Sequence, residues 1–364
     1  MGETGPLCLA DMARLAEAAL PPEVWDYVSG GSGAETTLAA NRTALDDIAL
    51  LPRVLGGFAR ACTGCRLLAT DASMPVGVAP MAYQRLVHPD GELAAAEAAR
   101  VAGIPYVVST VASIRLEEIA NVGADIWFQL YWQRDRAVVE DLIARAEQAG
   151  CQVLMLTVDL PILGRRLRDM RNAFSLPADV VAANLEGAPS RAHDTVTGES
   201  AIAAHAAAAF EAGLGWPDIE WLRARTSLPL VLKGILDPRD AVLAVESGMD
   251  GVVVSNHGGR QLDGAAASID ALPAVVKAVG DAVGDRCEVL LDGGIRSGTD
   301  ILRALALGAR GVLVGRPILH GLAVDGARGA AQVLSLLATE LREAMTLAGC
   351  ADVAAVRDLS TVEC

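Results

Sequence analysis

The chain is poor in aromatic side chains, in histidine and in positive charge, and it has no long apolar run. Phe, Trp and Tyr make up only 4% of its 364 residues, so its core must be largely aliphatic, as packed barrel strands are. No stretch of about 18 uninterrupted apolar residues occurs, which excludes a membrane span. The Ala-rich run at 201–209 is broken by His205 and followed by Glu211. A formal charge of −15 disfavours nucleic acid and anionic membranes as partners. The opening residues, MGETGPLCLADMARLAEA, lack the basic-then-apolar order of a secretory signal. The seven cysteines are therefore expected to be reduced thiols in a cytoplasmic protein. Cys62 and Cys65 have CxxC spacing, but no second pair of ligands accompanies them, so no metal site is expected. No GxGxxG turn follows the first apolar run, which counts against an open dinucleotide-binding sheet.

What is present is an eightfold alternation. Short apolar runs occur at Pro75–Pro80, Pro105–Thr110, Ile126–Trp132, Gln152–Asp159, Pro229–Gly234, Gly251–Asn256, Glu288–Gly293 and Gly311–Arg316. Helical patterns follow most of them, at Gly91–Ala102, Leu116–Asn121, Ala137–Gln148, Ala241–Ser247, Ile269–Val279 and Thr299–Leu307. Apolar strands alternating with amphipathic helices imply a parallel sheet buried on both faces. Eight units predict an α/β fold of the (β/α)8 TIM-barrel type over residues 71–350, with an open doubly wound sheet as the alternative. The chain, 1–364, reads as a single domain. Residues 1–70 form an N-terminal helical segment capping one barrel end, and residues 170–215, after strand four, form a long lid-like loop on the active-site face.

The C-terminal ends of barrel strands carry the chemistry. Here they deliver Ser109 and Thr110, Gln129 and Tyr131, Thr157 and Asp159, Lys233, Ser255 to His257, Asp292 to Gly294, and Gly315 with Arg316. His257 is one of five histidines and is followed by two glycines and Arg260. A neutral imidazole there suits a general base, against the alternative of a helix-capping histidine. Asp159, at another strand end, can orient that imidazole or cap a helix. Arg260 can grip a carboxylate bidentately. Lys233 at the end of an apolar strand is either a Schiff-base nucleophile or a fixed positive charge. The Gly-rich loops Asp292–Gly298 and Gly315-Arg316, with Arg296, look like a phosphate site. A base beside a carboxylate clamp and a phosphate-held electron acceptor fits oxidation by a flavin mononucleotide.

SNHGGRQ at 255–261 resembles the active-site motif of the FMN-dependent 2-hydroxy acid oxidases and dehydrogenases. WDYVSGG around Tyr27, FQLY at 128–131, TVD at 157–159, LGRR at 163–166, LKG around Lys233 and DGGIR at 292–296 carry the resemblance further, from about Asp26 to Cys350. It implies FMN as cofactor, and a small-molecule (S)-2-hydroxy acid and O2 as substrates, yielding the 2-keto acid and hydrogen peroxide in a homotetramer. It implies His257 as base, supported by Asp159, and Arg166 and Arg260 on the substrate carboxylate. Tyr27 adds a hydroxyl to that carboxylate and Tyr131 contacts the substrate hydroxyl. Lys233, Ser109, Gln129, Thr157 and the backbone of Pro80, Met81 and Ala82 are implied at the flavin ring. Gly294, Arg296, Gly315 and Arg316 are implied at its phosphate, and Ser255 and Asp292 complete the cofactor set. Val111 stands where the glycolate-type members have a Trp, so the resemblance points to an aryl substrate of the 4-hydroxymandelate or mandelate type. An aliphatic hydroxy acid, or a non-oxygen electron acceptor, is the alternative.

Overall fold

The computed structural model describes residues 5–185 and 201–363. Eight short strands form a closed parallel barrel: Val76–Val78 (β1), Tyr106–Ser109 (β2), Ile126–Leu130 (β3), Val153–Thr157 (β4), Leu230–Ile235 (β5), Gly251–Val254 (β6), Glu288–Asp292 (β7) and Gly311–Val314 (β8). They lie in sequence order around the ring, and β8 closes on β1. All eight predicted runs are strands, most of them trimmed at one or both ends. Prolines at 75, 80, 105 and 229 stand just outside them, where a missing N–H costs no ladder bond.

Strand β5 runs past its predicted end, because a register shift falls between Lys233 and Ile235 where it pairs with β6. Gly234 sits there at φ +112°, and a Cβ on it would stand 2.5 Å from the Cβ of Asp159. The bulge therefore makes room for Asp159 at the barrel mouth.

Inside the barrel, Val107, Met155, Val231, Val253, Leu290 and Leu313 pack around Trp127. The interior is thus not wholly aliphatic: one of the five tryptophans fills it. Its indole N–H donates to Thr70 Oγ1 at 2.8 Å, on a hairpin formed by Cys65–Leu67 and Thr70–Ala72. Leu67 of that hairpin plugs the base of the barrel.

Three helices precede the barrel: Leu9–Ala19 (α1), Pro22–Ser29 (α2) and Thr36–Asp46 (α3). The N-terminal segment therefore reaches both ends of the barrel, not one. Tyr27 on α2 reaches the catalytic end, and the hairpin closes the other. Of the predicted loop 170–215, residues 186–200 lie outside the described part. The rest includes a helix at Ala201–Ala209 (α4), which contributes to the cavity wall. No described helix is long and apolar enough to cross a membrane. A final helical stretch, Arg316–Leu347, begins directly after β8 and breaks at Asp325 and Gly326.

Candidate active site

A cavity open to solvent occupies the C-terminal end of the barrel. Its walls include Tyr27, Pro80, Met81, Ala82, Ser109, Val111, Tyr131, Thr157, Arg166, Lys233, His257, Arg260, Asp292, Gly294, Arg296, Gly315 and Arg316, all of them predicted site residues. Three other predicted residues stand behind the wall. Asp159 lies behind His257. Gln129 accepts from Ser109 Oγ at 3.2 Å and donates to Thr157 Oγ1 at 3.0 Å. The Ser255 hydroxyl accepts from Lys233 Nζ and from the His257 backbone N–H, each at 3.0 Å.

His257 Nδ1 lies 2.9 Å from Asp159 Oδ1. Burial pushes the imidazole below its usual pKa, and the charges of Lys233 and Arg166 add to this against the pull of Asp159. Burial also opposes ionisation of Asp159, but His257 and Lys233 outweigh it and hold the carboxyl below its usual range. At neutral pH the pair is thus imidazole and carboxylate. Asp159 accepts the Nδ1–H, which leaves the Nε2 lone pair for a ligand. His257 is itself left-handed, φ 58°, and Gly258 and Gly259 follow at 64° and 75°. A non-glycine residue in that region costs about 1–2 kcal/mol, a strain found where surrounding contacts enforce it.

Lys233 Nζ sits 3.0 Å from Asp292 Oδ2. Burial works against its charge, but Asp292 and Asp159 raise its pKa above the ordinary value. A lysine held protonated is no Schiff-base nucleophile, so the fixed-charge alternative stands. Burial raises the Tyr131 pKa, with Asp159 adding to it, so its hydroxyl keeps its proton.

The arginines are the most unusual feature. Arg166, Arg260, Arg296 and Arg316 all line the cavity, and none has a carboxylate partner among the described residues. Arg260 Nη1 donates to the carbonyls of Tyr27 (2.8 Å) and Gly30 (2.9 Å). Arg316 donates to Val28 O at 3.1 Å, Gly30 O at 2.8 Å and Gly258 O at 2.9 Å. Both guanidinium groups therefore rest on the carbonyl-rich C-terminal end of α2. Burial lowers Arg260 and Arg296 to about 10, and Arg316 is depressed by burial and by the three other arginines. The buried Nε of Arg166 has no partner. Arg166 is buried and the other three are partly buried, and four cations converging on one cavity call for anions.

The cavity ends differ. Gly293, Gly294, Arg296, Gly315 and Arg316 line one region, where helices Gly298–Ala306 and Arg316–Leu347 begin. Backbone N–H groups at helix starts, together with arginines, suit a phosphate. A second region is apolar, lined by Val111, Leu160, Leu163, Ile202, Ala206 and Phe210. All of these but Val111 escaped the sequence reading. Phe210 stacks on Tyr131 with ring centroids 4.8 Å apart, and Phe174 stacks on Tyr27 at the same separation. A phenylalanine ending an alanine run was the one available signal. The residues present fit a phosphate-bearing ring cofactor with a carboxylate substrate beside it.

A closed barrel with a His–Asp pair, a charged lysine and a cluster of arginines around one cavity at its strand ends suits a cofactor-dependent oxidoreductase of small acids. The FMN-dependent dehydrogenase family model matches residues 16–362, and the chain belongs to that family, with FMN as its cofactor. It is 53% identical over 353 residues to 4-hydroxymandelate oxidase of Amycolatopsis orientalis, covering 97% of each chain. It is 46% identical over 363 residues to L-lactate oxidase of a Nostoc strain, covering 98% of each. A solved mandelate oxidase with (S)-4-hydroxymandelic acid superposes with a TM-score of 0.95 at 52% identity, over 98% of this chain and 99% of that one.

Proposed function

We propose that this chain oxidises an (S)-2-hydroxy acid with an aryl side chain, of the 4-hydroxymandelate type, to the 2-keto acid. The carbinol group gives up two electrons and two protons, one from its C–H and one from its O–H, and O2 takes them to become hydrogen peroxide. FMN, when bound, supplies the two-electron acceptor between the two. The observation that carries the reading is the set of four cavity arginines, one buried and three partly buried, with no carboxylate partner among the described residues, around a His–Asp pair. Two of them answer to a phosphate and two to a carboxylate.

Arg166 and Arg260 bind the substrate carboxylate, with Tyr27 beside them. Tyr131, a protonated hydroxyl, orients the substrate oxygen. His257 Nε2 accepts a substrate proton, and Asp159 keeps the tautomer and stabilises the imidazolium that results. Lys233 would present a fixed positive charge at the cofactor ring, and Ser109 and Thr157, which Gln129 holds from behind the wall, would bond that ring together with the backbone of residues 80–82. Gly294, Arg296, Gly315 and Arg316 would hold its phosphate. The apolar wall from Val111 to Phe210 supports the aryl assignment. It offers a ring dispersion contacts.

The test is the specificity ratio. FMN-loaded protein is assayed with (S)-4-hydroxymandelate, glycolate and L-lactate, and peroxide is counted against keto acid. A higher kcat/KM for the aryl acid with one peroxide per keto acid supports the reading. Preference for glycolate overturns the aryl assignment, and a flavin that no hydroxy acid reduces overturns the activity.

A further inference from the structure

Asn256 stands between Ser255 and His257 in the site motif, yet it lines no part of the cavity and has no chemical role above. It is buried, and its side chain faces a second buried amide, Asn41, in the middle of α3. The two amides bond reciprocally: Asn41 Nδ2 donates to Asn256 Oδ1 at 2.9 Å, and Asn256 Nδ2 donates to Asn41 Oδ1 at 2.8 Å.

Further hydrogen bonds of both amides go to the loop that carries His257 and to the helix start that follows it. Asn256 Oδ1 also accepts from the Gly259 backbone N–H at 3.0 Å, and Asn256 Nδ2 donates to Ala266 O at 3.0 Å. Asn41 Oδ1 accepts from the Ser268 N–H at 3.2 Å, and the Ser268 hydroxyl accepts from the Asn256 N–H at 3.1 Å. An Asn side chain offers two donors and two acceptor sites, and Asn256 uses all four. The bonds bracket the three left-handed residues, 257 to 259, on both sides.

α3 touches the opposite pole of the site as well. A Cβ on Gly294 would stand 2.3 Å from the Asn41 carbonyl oxygen, and a Cβ on Gly259 would stand 2.7 Å from the backbone of Leu38. The base-bearing loop and the phosphate loop therefore both pack on one helix outside the barrel, within a turn of each other.

We propose that Asn41 and Asn256 are a coupled pair of positioning residues. They hold His257 in its left-handed conformation against Asp159 and fix the distance between the base and the phosphate loop. This rests on His257 acting as the base. The pair touches neither substrate nor cofactor, so its loss acts on the placement of His257, while Arg260 stays tied to the Tyr27 and Gly30 carbonyls of α2 and Arg166 lies on another loop.

The test uses FMN-loaded wild type, Asn41→Ala, Asn256→Ala and the double variant. The readouts are the anaerobic rate of flavin reduction, the affinity for the 2-keto acid product, and hydrogen exchange of the 255–262 segment. A small misplacement of a reacting group costs on the order of 100-fold in rate. Each single variant is expected to lose about that much reduction rate, to keep product affinity within threefold, and to exchange faster at 255–262 but not in β6. The double variant is expected to be no slower than the worse single, as for one shared device. Reduction rates within threefold of wild type, or single losses that multiply in the double variant, overturn the proposal. Should the alanine variants fail to retain FMN, Asn41→Asp decides. It keeps the volume against Gly294 and accepts from Ser268 but cannot donate to Asn256, so a reduction rate equal to wild type overturns the proposal. A wild-type flavin that no hydroxy acid reduces, with normal exchange differences in the variants, points instead to failure of the functional reading.

Discussion

Replacing Arg260 by lysine keeps a cation in the site and removes the fork. In the structure, Arg260 commits Nη1 to the carbonyls of Tyr27 and Gly30 and stacks its guanidinium over the Tyr27 ring at 5.2 Å. Its other N–H groups make no hydrogen bond among the described residues and are left for a ligand in the cavity that Arg260 lines. A lysine ammonium has three donors on a flexible stem. It can satisfy the α2 carbonyls or reach the carboxylate, but it cannot present two parallel bonds while doing the first. The loss is at least one charge-assisted hydrogen bond, about 1.5–3 kcal/mol, which is roughly a 10- to 150-fold rise in KM. Because His257 and Asp159 are untouched, kcat should fall far less. Steady-state kinetics and product affinity, read from perturbation of the flavin spectrum, measure both. An unchanged KM removes Arg260 from the carboxylate site, and a collapse of kcat alone gives it a different role.

Lys233→Met strands the Asp292 charge in the interior and should cost on the order of 3–5 kcal/mol, while Lys233→Met with Asp292→Asn recovers most of it. Chemical denaturation measures this, and a double variant no more stable than the single refutes the pairing. Only neutral His257 can accept a proton, so activity is lost as pH falls through its pKa, which burial holds below the ordinary 6.5. The acid limb of kcat/KM is therefore expected below pH 6.5, and Asp159→Asn, which removes a charge favouring imidazolium, should move it lower still. An acid limb above 6.5 contradicts the burial argument. Val111→Trp inserts an indole into the apolar wall, where overpacking costs about 1–3 kcal/mol. It should lower kcat/KM for 4-hydroxymandelate tenfold or more relative to glycolate, and an unchanged ratio would place the aryl group elsewhere.

The barrel was legible because strands buried on both faces must be continuous apolar runs, and prolines mark where each run leaves the ladder. The polar ends of those runs were legible for the same reason, since a polar side chain that ends such a strand needs a partner or a ligand. The direction in which each of these side chains points was not. Asp159, Gln129 and Ser255 share strand ends with cavity residues, yet each bonds a neighbour behind the wall, a difference set by register and the Gly234 bulge. Ile202 on α4, and Phe210 just after it, were hidden because α4 is almost uniformly small and apolar, so no periodicity picks out its inner face. The hairpin that plugs the barrel has strands of three residues, too short for an alternation to show. The support of α2 and α3 for the arginines and the His257 loop depends on contacts more than 200 residues apart in sequence, which no local pattern encodes.

The central claim is that His257 takes the proton whose removal lets electrons leave the substrate. Wild type and His257→Ala, both loaded with FMN, are mixed with (S)-4-hydroxymandelate without air, and the flavin absorbance is followed in a stopped-flow instrument. General-base catalysis contributes on the order of 10²–10⁴-fold. The variant is therefore expected to keep its flavin band and bleach at least about 100-fold more slowly than wild type. A His257→Ala flavin that bleaches at a rate within tenfold of wild type would contradict the account.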